Sequence, residues 1–176
     1  MAYLVLDIET QKEFAEIGGR GKLHLLGVSV VGTYWSGDDT YYAYREEEFP
    51  ALEEKIVKSD LVIGFNNKFF DFPVLQPHIK APLTAVPTLD IMEELSLALG
   101  YRVSLNSVAK GTLNAGKSGH GLQAIQFFRE GRWDELISYC LQDVKLTKEV
   151  YEYGRAQGHV KFFAGWESYE VPVRWK

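Results

Sequence analysis

Two acidic residues stand two positions apart at the end of an apolar segment near the start of the chain. Asp7 and Glu9 follow Tyr3-Leu4-Val5-Leu6, and the pattern predicts a strand through Ile8 that is buried on both faces. Side chains at positions i and i+2 of a strand leave by the same face, so the two carboxylates lie side by side. A bound divalent cation would offset both their repulsion and their resistance to burial. Taken alone the pattern is weak, because acid-x-acid recurs by chance and Glu9 could simply support a following helical turn.

A tyrosine and an aspartate, Tyr139 and Asp143, lie four residues apart within the longest predicted helix, residues 133–155. Residues at this spacing share a helix face, and the other positions on that face are largely apolar. An acid on a core-facing stripe requires a partner, and the sequence offers no Arg or Lys one turn away on the same face. A metal ion or a charged substrate would be such a partner. The alternative is a hydrogen-bonded Tyr–Asp pair inside the core.

A third acid, Asp71, follows a short apolar segment, residues 61–64, that predicts a strand. Pro73, two residues further on, suits the first turn of a helix, so an isolated Asp71 is best explained as a helix cap. The three acidic segments are far more specific in combination than any one of them. They occur in the order Asp-x-Glu on a first strand, Asn-x-x-x-Phe-Asp-x-Pro after a later strand, and Tyr-x-x-x-Asp on a late helix.

In this combination and order the segments resemble the DEDD exonucleases of the ribonuclease-H-like superfamily, in the subgroup whose last motif carries a tyrosine (DEDDy). Asp7–Thr10 matches the first motif, Gly64–Leu75 the second and Tyr139–Asp143 the third. The resemblance is strongest to the proofreading domain of family B DNA polymerases and to related stand-alone predicted exonucleases. It spans Tyr3 to Tyr151, which is most of the chain.

The resemblance implies a 3′–5′ exonuclease that hydrolyses phosphodiester bonds at single-stranded 3′ ends of DNA or RNA and releases nucleoside monophosphates. It implies two divalent cations, Mg²⁺ or Mn²⁺, which prefer the oxygen ligands that carboxylates provide. The implied metal ligands are Asp7, Glu9, Asp71 and Asp143. Tyr139, the fifth implied catalytic residue, would orient the attacking water.

Five further residues are candidates for holding the substrate. Thr10, Asn66 and Phe70 lie within the matched motifs, and a ring at Phe70 would stack on any base. Lys117 and His120 lie in a Gly-rich loop between two predicted helices and could meet phosphates, with a solvated loop as the alternative.

Other residues near these motifs receive structural interpretations. Phe65, Phe69 and Phe72 are expected to fill the core. Asp90 ends a short extended stretch and begins a predicted helix, which favours a helix N-cap over a role near the site.

Residues 111–118 fit the phosphate-binding pattern G-x-x-x-x-G-K-S letter for letter. That mechanism requires a buried strand before the loop and a helix N-terminus after it. The segment before it, beginning at Ser104, predicts a helix instead, and Gly119-His120-Gly121 is a poor helix start. A P-loop NTPase is therefore a remote alternative. The nearer alternative is a non-catalytic nucleic-acid-binding module, which the presence of all four acids and the tyrosine disfavours.

Hydrophobic periodicity predicts the elements that must position these residues. Strands are predicted at residues 3–8, 23–33, 40–44 and 61–64, and a short helical turn is predicted after the Thr10–Glu13 capping pattern. Helices are predicted at about 46–58, 68–78, 90–99, 104–113, 121–129 and 133–155. The order predicts an α/β domain over residues 1–157, with a mixed central sheet flanked by helices. Residues 158–176 are expected to form an extension with a β-hairpin-like tail, turning near Gly165 and packed on the same domain.

The bulk composition fits one soluble domain. The chain has 176 residues, of which 46% are hydrophobic, and no apolar run is long enough to cross a bilayer. A single cysteine, Cys140, leaves no internal disulfide and suits a reducing compartment, so we expect a cytoplasmic protein without a membrane partner. The net charge of −5 disfavours binding of nucleic acid by bulk charge but does not describe a local cleft. Such a protein would act alone or with a helicase or polymerase partner in trans.

Overall fold

The computed structural model describes residues 1–116, 121–165 and 167–175, and these form seven strands and six α-helices. The strands are β1 (Tyr3–Thr10), β2 (Val28–Trp35), β3 (Thr40–Tyr44), β4 (Leu61–Gly64), β5 (Thr88–Asp90), β6 (His159–Ala164) and β7 (Glu167–Pro172). The helices are α1 (Phe49–Lys58), α2 (Asp71–Leu75), α3 (Ile91–Leu99), α4 (Leu105–Leu113), α5 (Gly121–Arg129) and α6 (Trp133–Gln157). None of the helices in the described ranges is long and apolar enough to span a bilayer.

The central sheet is mixed, and β1 is its middle strand. The strand order is β3-β2-β1-β4-β5. Strands β2 and β3 continue the sheet antiparallel on one side of β1, whereas β4 and β5 run parallel to it on the other side. Strands β6 and β7 form a separate antiparallel hairpin. The predicted mixed sheet flanked by helices, with a C-terminal hairpin, is confirmed.

Both faces of β1 are covered, which is why its sequence is apolar at nearly every position. Leu4, Leu6 and Ile8 pack into the layer that contains α1 and α2. Tyr3 and Val5 pack into the opposite layer, which contains α4, α6 and the hairpin. Asp7 and Glu9 are in phase with Tyr3 and Val5, so their side chains leave by the face that α6 covers.

Helix α6 approaches the sheet closely because β2 carries a glycine beneath it. A Cβ atom at Gly32 would lie 2.8 Å from the Sγ atom of Cys140 and 3.0 Å from a methyl carbon of Val144. Gly32 is also the residue of β2 that pairs with Asp7 of β1. The small residue therefore allows the helix that carries Tyr139 and Asp143 to lie close to Asp7.

Three predicted elements have different bounds in the structure. The helix predicted at 46–58 is α1 from Phe49 onward, preceded by a 3₁₀ turn at 46–48. The strand predicted at 23–33 begins only at Val28, because residues 20–25 form 3₁₀ turns and Gly27 adopts a left-handed conformation (φ 67°). The helix predicted at 68–78 is α2, residues 71–75, followed by a 3₁₀ turn at 76–78. Pro77 lacks the backbone N–H that would continue the α-helix.

The helical turn predicted after residues 10–13 is present, but Thr10 does not cap it. Thr10 is the last residue of β1, and a 3₁₀ turn follows at Phe14–Ile17. The cap of this turn is Glu13, three residues after Thr10. Its backbone N–H donates to the carboxylate of Glu16 (2.7 Å). The predicted N-caps Asp90 and Ser104 are confirmed, since each side chain accepts a hydrogen bond from the backbone N–H three residues on.

Helix α4 packs directly on the hairpin at Gly111. A Cβ atom at this position would lie 2.6 Å from the Cα atom of Phe162 and 2.7 Å from the backbone of Lys161. The neighbouring Thr112 hydroxyl donates to the carbonyl of Lys161 (2.7 Å) and accepts from its N–H (2.9 Å). The first glycine of the apparent phosphate-binding pattern therefore serves a helix–hairpin contact. Residues 105–113 are helical where a phosphate loop would require a strand.

We expect Gly111→Ala to lower the free energy of unfolding by about 1–3 kcal/mol, because backbone atoms of β6 cannot move aside as a flexible side chain could. This loss outweighs the gain of roughly 1 kcal/mol that alanine brings to a helix interior. Urea unfolding of the purified variant measures the difference.

The matched control is Gly116→Ala, the second glycine of the same pattern. A Cβ atom there would meet the Cε atom of Lys110 at 2.8 Å, which is the far end of a flexible side chain, so we expect little change. Equal stability of the two variants would contradict the packing role of Gly111.

Candidate active site

Strand β1 presents two carboxylates beside a thiol from α6. The carboxylate oxygens of Asp7 and Glu9 and the Sγ atom of Cys140 all lie within 4.8 Å of one another. Glu9 is buried, whereas Asp7 is partly exposed. The predicted same-face arrangement of the two acids is therefore present in the structure, at the carboxyl-terminal half of the middle strand.

Helix α6 places Cys140 and Asp143 near this pair and carries Tyr139 one turn before Asp143. Tyr139 and Asp143 are buried, and Cys140 lies between them in the sequence. The Sγ atom of Cys140 lies 3.5 Å from the backbone oxygen of Asp7 and 3.8 Å from its Oδ2 atom. Burial raises the pKa of the Cys140 thiol well above its usual value, and the carboxylates of Asp7, Glu9 and Asp143 raise this pKa further. The thiol is thus in the electrostatic range of three of the four predicted acids.

Asp71 contacts the same strand from helix α2, which packs in the layer opposite to α6. It is buried in the first turn of α2, and its Oδ1 atom accepts a hydrogen bond from the N–H of Ile8 (3.1 Å), the residue between Asp7 and Glu9. Burial raises the pKa of Asp71 to about 7, and the carboxylates of Asp90 and Asp143 add to this rise. The cap position of α2 is Phe70, so the interpretation of Asp71 as a simple helix cap is wrong.

The donor atoms at this site fit a hard divalent cation. Asp7 and Glu9 offer carboxylate oxygens, which Mg²⁺ and Mn²⁺ prefer. Cys140 is a poor ligand for these ions, because its raised pKa keeps it a neutral thiol. Asp71 and Asp143 do not join the group within 4.8 Å, so the four acids extend over a wider area than a single compact cluster.

A cavity of about 420 Å³ opens beside Glu9. Thr10 and Phe70 line it, as do Phe14 and two residues of α5, Leu122 and Ile125. The rings of Phe14 and Phe70 lie edge to face with their centroids 6.0 Å apart. Sequence reasoning did not identify Phe14, because it lies in a 3₁₀ turn outside the matched motifs.

The loop between β4 and α2 is held by a buried carboxylate. Asn66 adopts a left-handed conformation (φ 78°), which asparagine tolerates better than most residues. Its N–H donates to Asp90 (2.8 Å), and so does the N–H of Lys68 (3.1 Å). The side-chain oxygen of Asn66 accepts a hydrogen bond from the guanidinium of Arg102. Asp90 therefore acts both as the cap of α3 and as the anchor of this loop.

One expectation about the phenylalanines of the second motif is wrong. Phe72 is buried and Phe65 packs against the core, but Phe69 is 57% exposed. Helix α2 begins at Asp71 and not at Lys68, so Phe69 lies in the preceding turn, outside the helix whose apolar face meets the core.

The structure brings the four predicted acids around one region, where β1, α2 and α6 meet. Tyr139, the fifth predicted catalytic residue, precedes Cys140 on α6 and lines a separate pocket with Gln123 and Phe127 of α5.

Of the predicted substrate-binding residues, Thr10 and Phe70 line the cavity beside Glu9 and Asn66 lies in the adjoining loop. Lys117 and His120 lie outside the described residues. The functional roles of all these side chains stay predictions.

Comparison with known proteins agrees with this architecture. A family model described as the RNase_H superfamily matches residues 4–154. The fold is similar to that of the family B DNA polymerase from the hyperthermophilic archaeon Pyrobaculum calidifontis, with a TM-score of 0.63 and 17% sequence identity. This similarity covers 88% of the present chain but only 24% of the polymerase chain. No curated protein sequence matches the chain significantly. Because the family model covers most of the sequence, the chain belongs to the RNase_H superfamily.

Proposed function

We propose that this protein is a 3′–5′ exonuclease of the DEDDy type, a superfamily member that hydrolyses phosphodiester bonds at single-stranded 3′ ends of DNA or RNA and releases nucleoside monophosphates. The observation that carries the proposal is the cluster of like charges at β1. Asp7 and Glu9 leave by one face of the strand, Asp71 is hydrogen-bonded between them, and Asp143 is close enough to raise the pKa of Asp71. Buried like charges require compensation, and a cationic ligand provides it.

The four carboxylates would hold two divalent cations, Mg²⁺ or Mn²⁺. When bound, two such ions lower the pKa of water and stabilise the charge that develops on the phosphate and on the leaving 3′ oxygen. Asp71 from α2 and Asp143 from α6 would complete the ligands of the two ions beside the pair that Asp7 and Glu9 form. Cys140 would act as a neutral spacer that sets the distance between α6 and β1.

Tyr139 would orient the attacking water. It lies one helical turn before Asp143, and residues at this spacing share a face of the helix. Its buried ring fixes the direction of the hydroxyl, since burial leaves the side chain few rotamers.

The cavity beside Glu9 would receive the terminal nucleotide. Its walls are mostly apolar, and the rings of Phe14 and Phe70 would hold the base without regard to sequence. Thr10 and Lys12 line the same cavity and would meet the sugar and phosphate. A base held there lies next to Glu9, which places the bond to be cut beside the acids.

The substrate class, partners, location and domain division of the protein belong to the same proposal. Nucleic acid is the substrate class that the superfamily implies. A helicase or polymerase partner in trans, a cytoplasmic location, and a division into a nuclease domain at 1–157 and an extension at 158–176 remain predictions. The extension contributes Val160, Phe162 and Val171 to the core that it shares with α4 and α6.

We expect Glu9→Gln to reduce the rate of removal of 3′-terminal nucleotides roughly 10³-fold or more, which corresponds to about 4 kcal/mol of transition-state stabilisation. The change keeps the shape of the side chain but removes the charge that a cation needs. A 5′-labelled single-stranded oligonucleotide incubated with Mn²⁺ reports the stepwise shortening, and EDTA should abolish it.

The matched control is Glu54→Gln on the exposed surface of α1, which should leave the rate unchanged. Equal activity of Glu9→Gln and the wild type would contradict the proposed site. Wild-type protein that binds the oligonucleotide but leaves it intact with Mn²⁺ would identify a non-catalytic binding module instead.

The raised pKa of Asp71 predicts how the stability of the metal-free protein depends on pH. Because the folded-state pKa is about 7 and the ordinary value is 3.8, the contribution of this group is fully present below about pH 4 and is lost as the pH rises through about 7. Between these limits we expect the wild-type protein in EDTA to lose about 1–4 kcal/mol from this group. Asp71→Asn cannot ionise and should not show this loss, while its side-chain oxygen can still accept from Ile8.

Thermal unfolding in EDTA across this pH range measures the difference between the two proteins. Asp60→Asn, an exposed position before β4, is the control and should follow the wild type. Addition of Mn²⁺ at about pH 8 should restore the stability of the wild type more than that of Asp71→Asn. Parallel pH profiles for the wild type and Asp71→Asn would show that the pKa of Asp71 is not raised in the folded protein.

A further inference from the structure

A second groove lies on the other side of the loop that carries Phe70. It has a volume of about 350 Å³ and is lined by Phe69 from the loop, by Met92, Glu93, Ser96 and Leu97 from α3, and by Arg102. Consecutive side chains thus serve two concave surfaces, because Phe70 lines the cavity beside Glu9 and Phe69 lines this groove. The loop between them is the one that Asp90 anchors at Asn66 and Lys68.

The groove exposes large apolar side chains. Phe69 is 57% exposed and Leu97 is 78% exposed, whereas Met92 beneath them is buried. Two large apolar groups exposed side by side in a concave surface are typical of a binding site. Phe69 is exposed on a loop that Asp90 holds at Asn66 and Lys68, and not at a chain terminus.

The groove also holds a cation without a carboxylate partner among the described residues. The guanidinium of Arg102 donates to the neutral side-chain oxygen of Asn66 and to the sulfur of Met92 (3.1 Å). The acid in the groove, Glu93, is already paired with Lys68 at 2.5 Å. The lining of the groove is formally neutral, but because Glu93 pairs with Lys68 from outside the groove, the charge of Arg102 is not offset by a described carboxylate.

We infer that this groove binds a nucleotide of the single-stranded substrate that lies upstream of the terminal one, with its base against Phe69 and Leu97 and its phosphate at Arg102. The inference rests on the proposed function and extends it to the path of the strand. Nucleic acid is the occupant that fits, because its repeating unit joins a flat apolar base to an anionic phosphate. The groove likewise combines an aromatic ring, Phe69, with a cation, Arg102, that has no carboxylate partner among the described residues. Its residue Phe69 is also the chain neighbour of Phe70, which lines the cavity proposed for the terminal nucleotide.

The test compares two substrates with Mn²⁺. One is a short single-stranded oligonucleotide, which reaches the groove, and the other is the p-nitrophenyl ester of thymidine 5′-monophosphate, which has no upstream nucleotide. We expect Phe69→Ala to lower kcat/KM on the oligonucleotide about 10-fold relative to the ester, mainly through KM, since stacking of one base contributes roughly 1–3 kcal/mol. Phe69→Trp should restore the rate, because it keeps a ring for stacking.

Arg102→Gln provides a second test, and a purely structural role of Arg102 would not change its readout. Removing one phosphate contact should reduce the slope of log KM against log salt concentration by about one. The control for both variants is Phe163→Ala, which removes an exposed phenylalanine from the hairpin and should alter neither substrate.

The outcomes distinguish failure of the groove inference from failure of the proposed function. If the wild type hydrolyses both substrates but Phe69→Ala affects them equally, or affects the oligonucleotide no more than Phe163→Ala does, the groove inference is overturned and the proposed function stands. An unchanged salt slope in Arg102→Gln would overturn the phosphate contact. If the wild type hydrolyses neither substrate, the proposed function fails and the groove inference with it.

Discussion

The burial of acidic side chains near one another is the constraint that the rest of this fold must overcome. Asp71 is held against β1 by the N–H of Ile8, and its pKa rises to about 7 because the carboxyl group is buried and because Asp90 and Asp143 lie near it. Such an arrangement persists only on a rigid support. The support here is a middle strand that is apolar on both faces, so that displacing the acids would also disrupt the core. Acids whose pKa is shifted by burial and by neighbouring charges are typical of functional sites.

The parts of the site that the sequence predicts are those that depend on regular periodicity. The period of two residues in β1 places Asp7 beside Glu9, and the helical period places Tyr139 one turn from Asp143. The parts that escaped prediction lie in irregular backbone. Phe14 belongs to a 3₁₀ turn and Phe69 to the turn before α2, and neither conformation imposes a repeating pattern on the sequence. The exposure of Phe69 depends on where α2 begins, which Pro73 alone does not determine.

The segment 111–118 shows why a short motif needs its structural context. The same letters that would cradle a phosphate after a strand produce a helix–hairpin contact here, because Gly111 lies within α4 and allows β6 to approach it. Glycine is permitted in both settings for the same reason, the absence of a side chain. Cys140 is a similar case, since a residue that could ligate a metal is kept neutral by burial and by the acids around it.

The contact between Cys140 and Asp7 joins residues that are 133 positions apart, so nearly the whole chain must be present before the acidic centre exists. Contacts between such distant segments form late in folding, because a long loop must close first. An emerging polypeptide would carry Asp7 and Glu9 long before α6 could meet them. A nascent or truncated chain without α6 would therefore lack the assembled acidic centre, and the proposed nuclease activity would appear only after that helix docks.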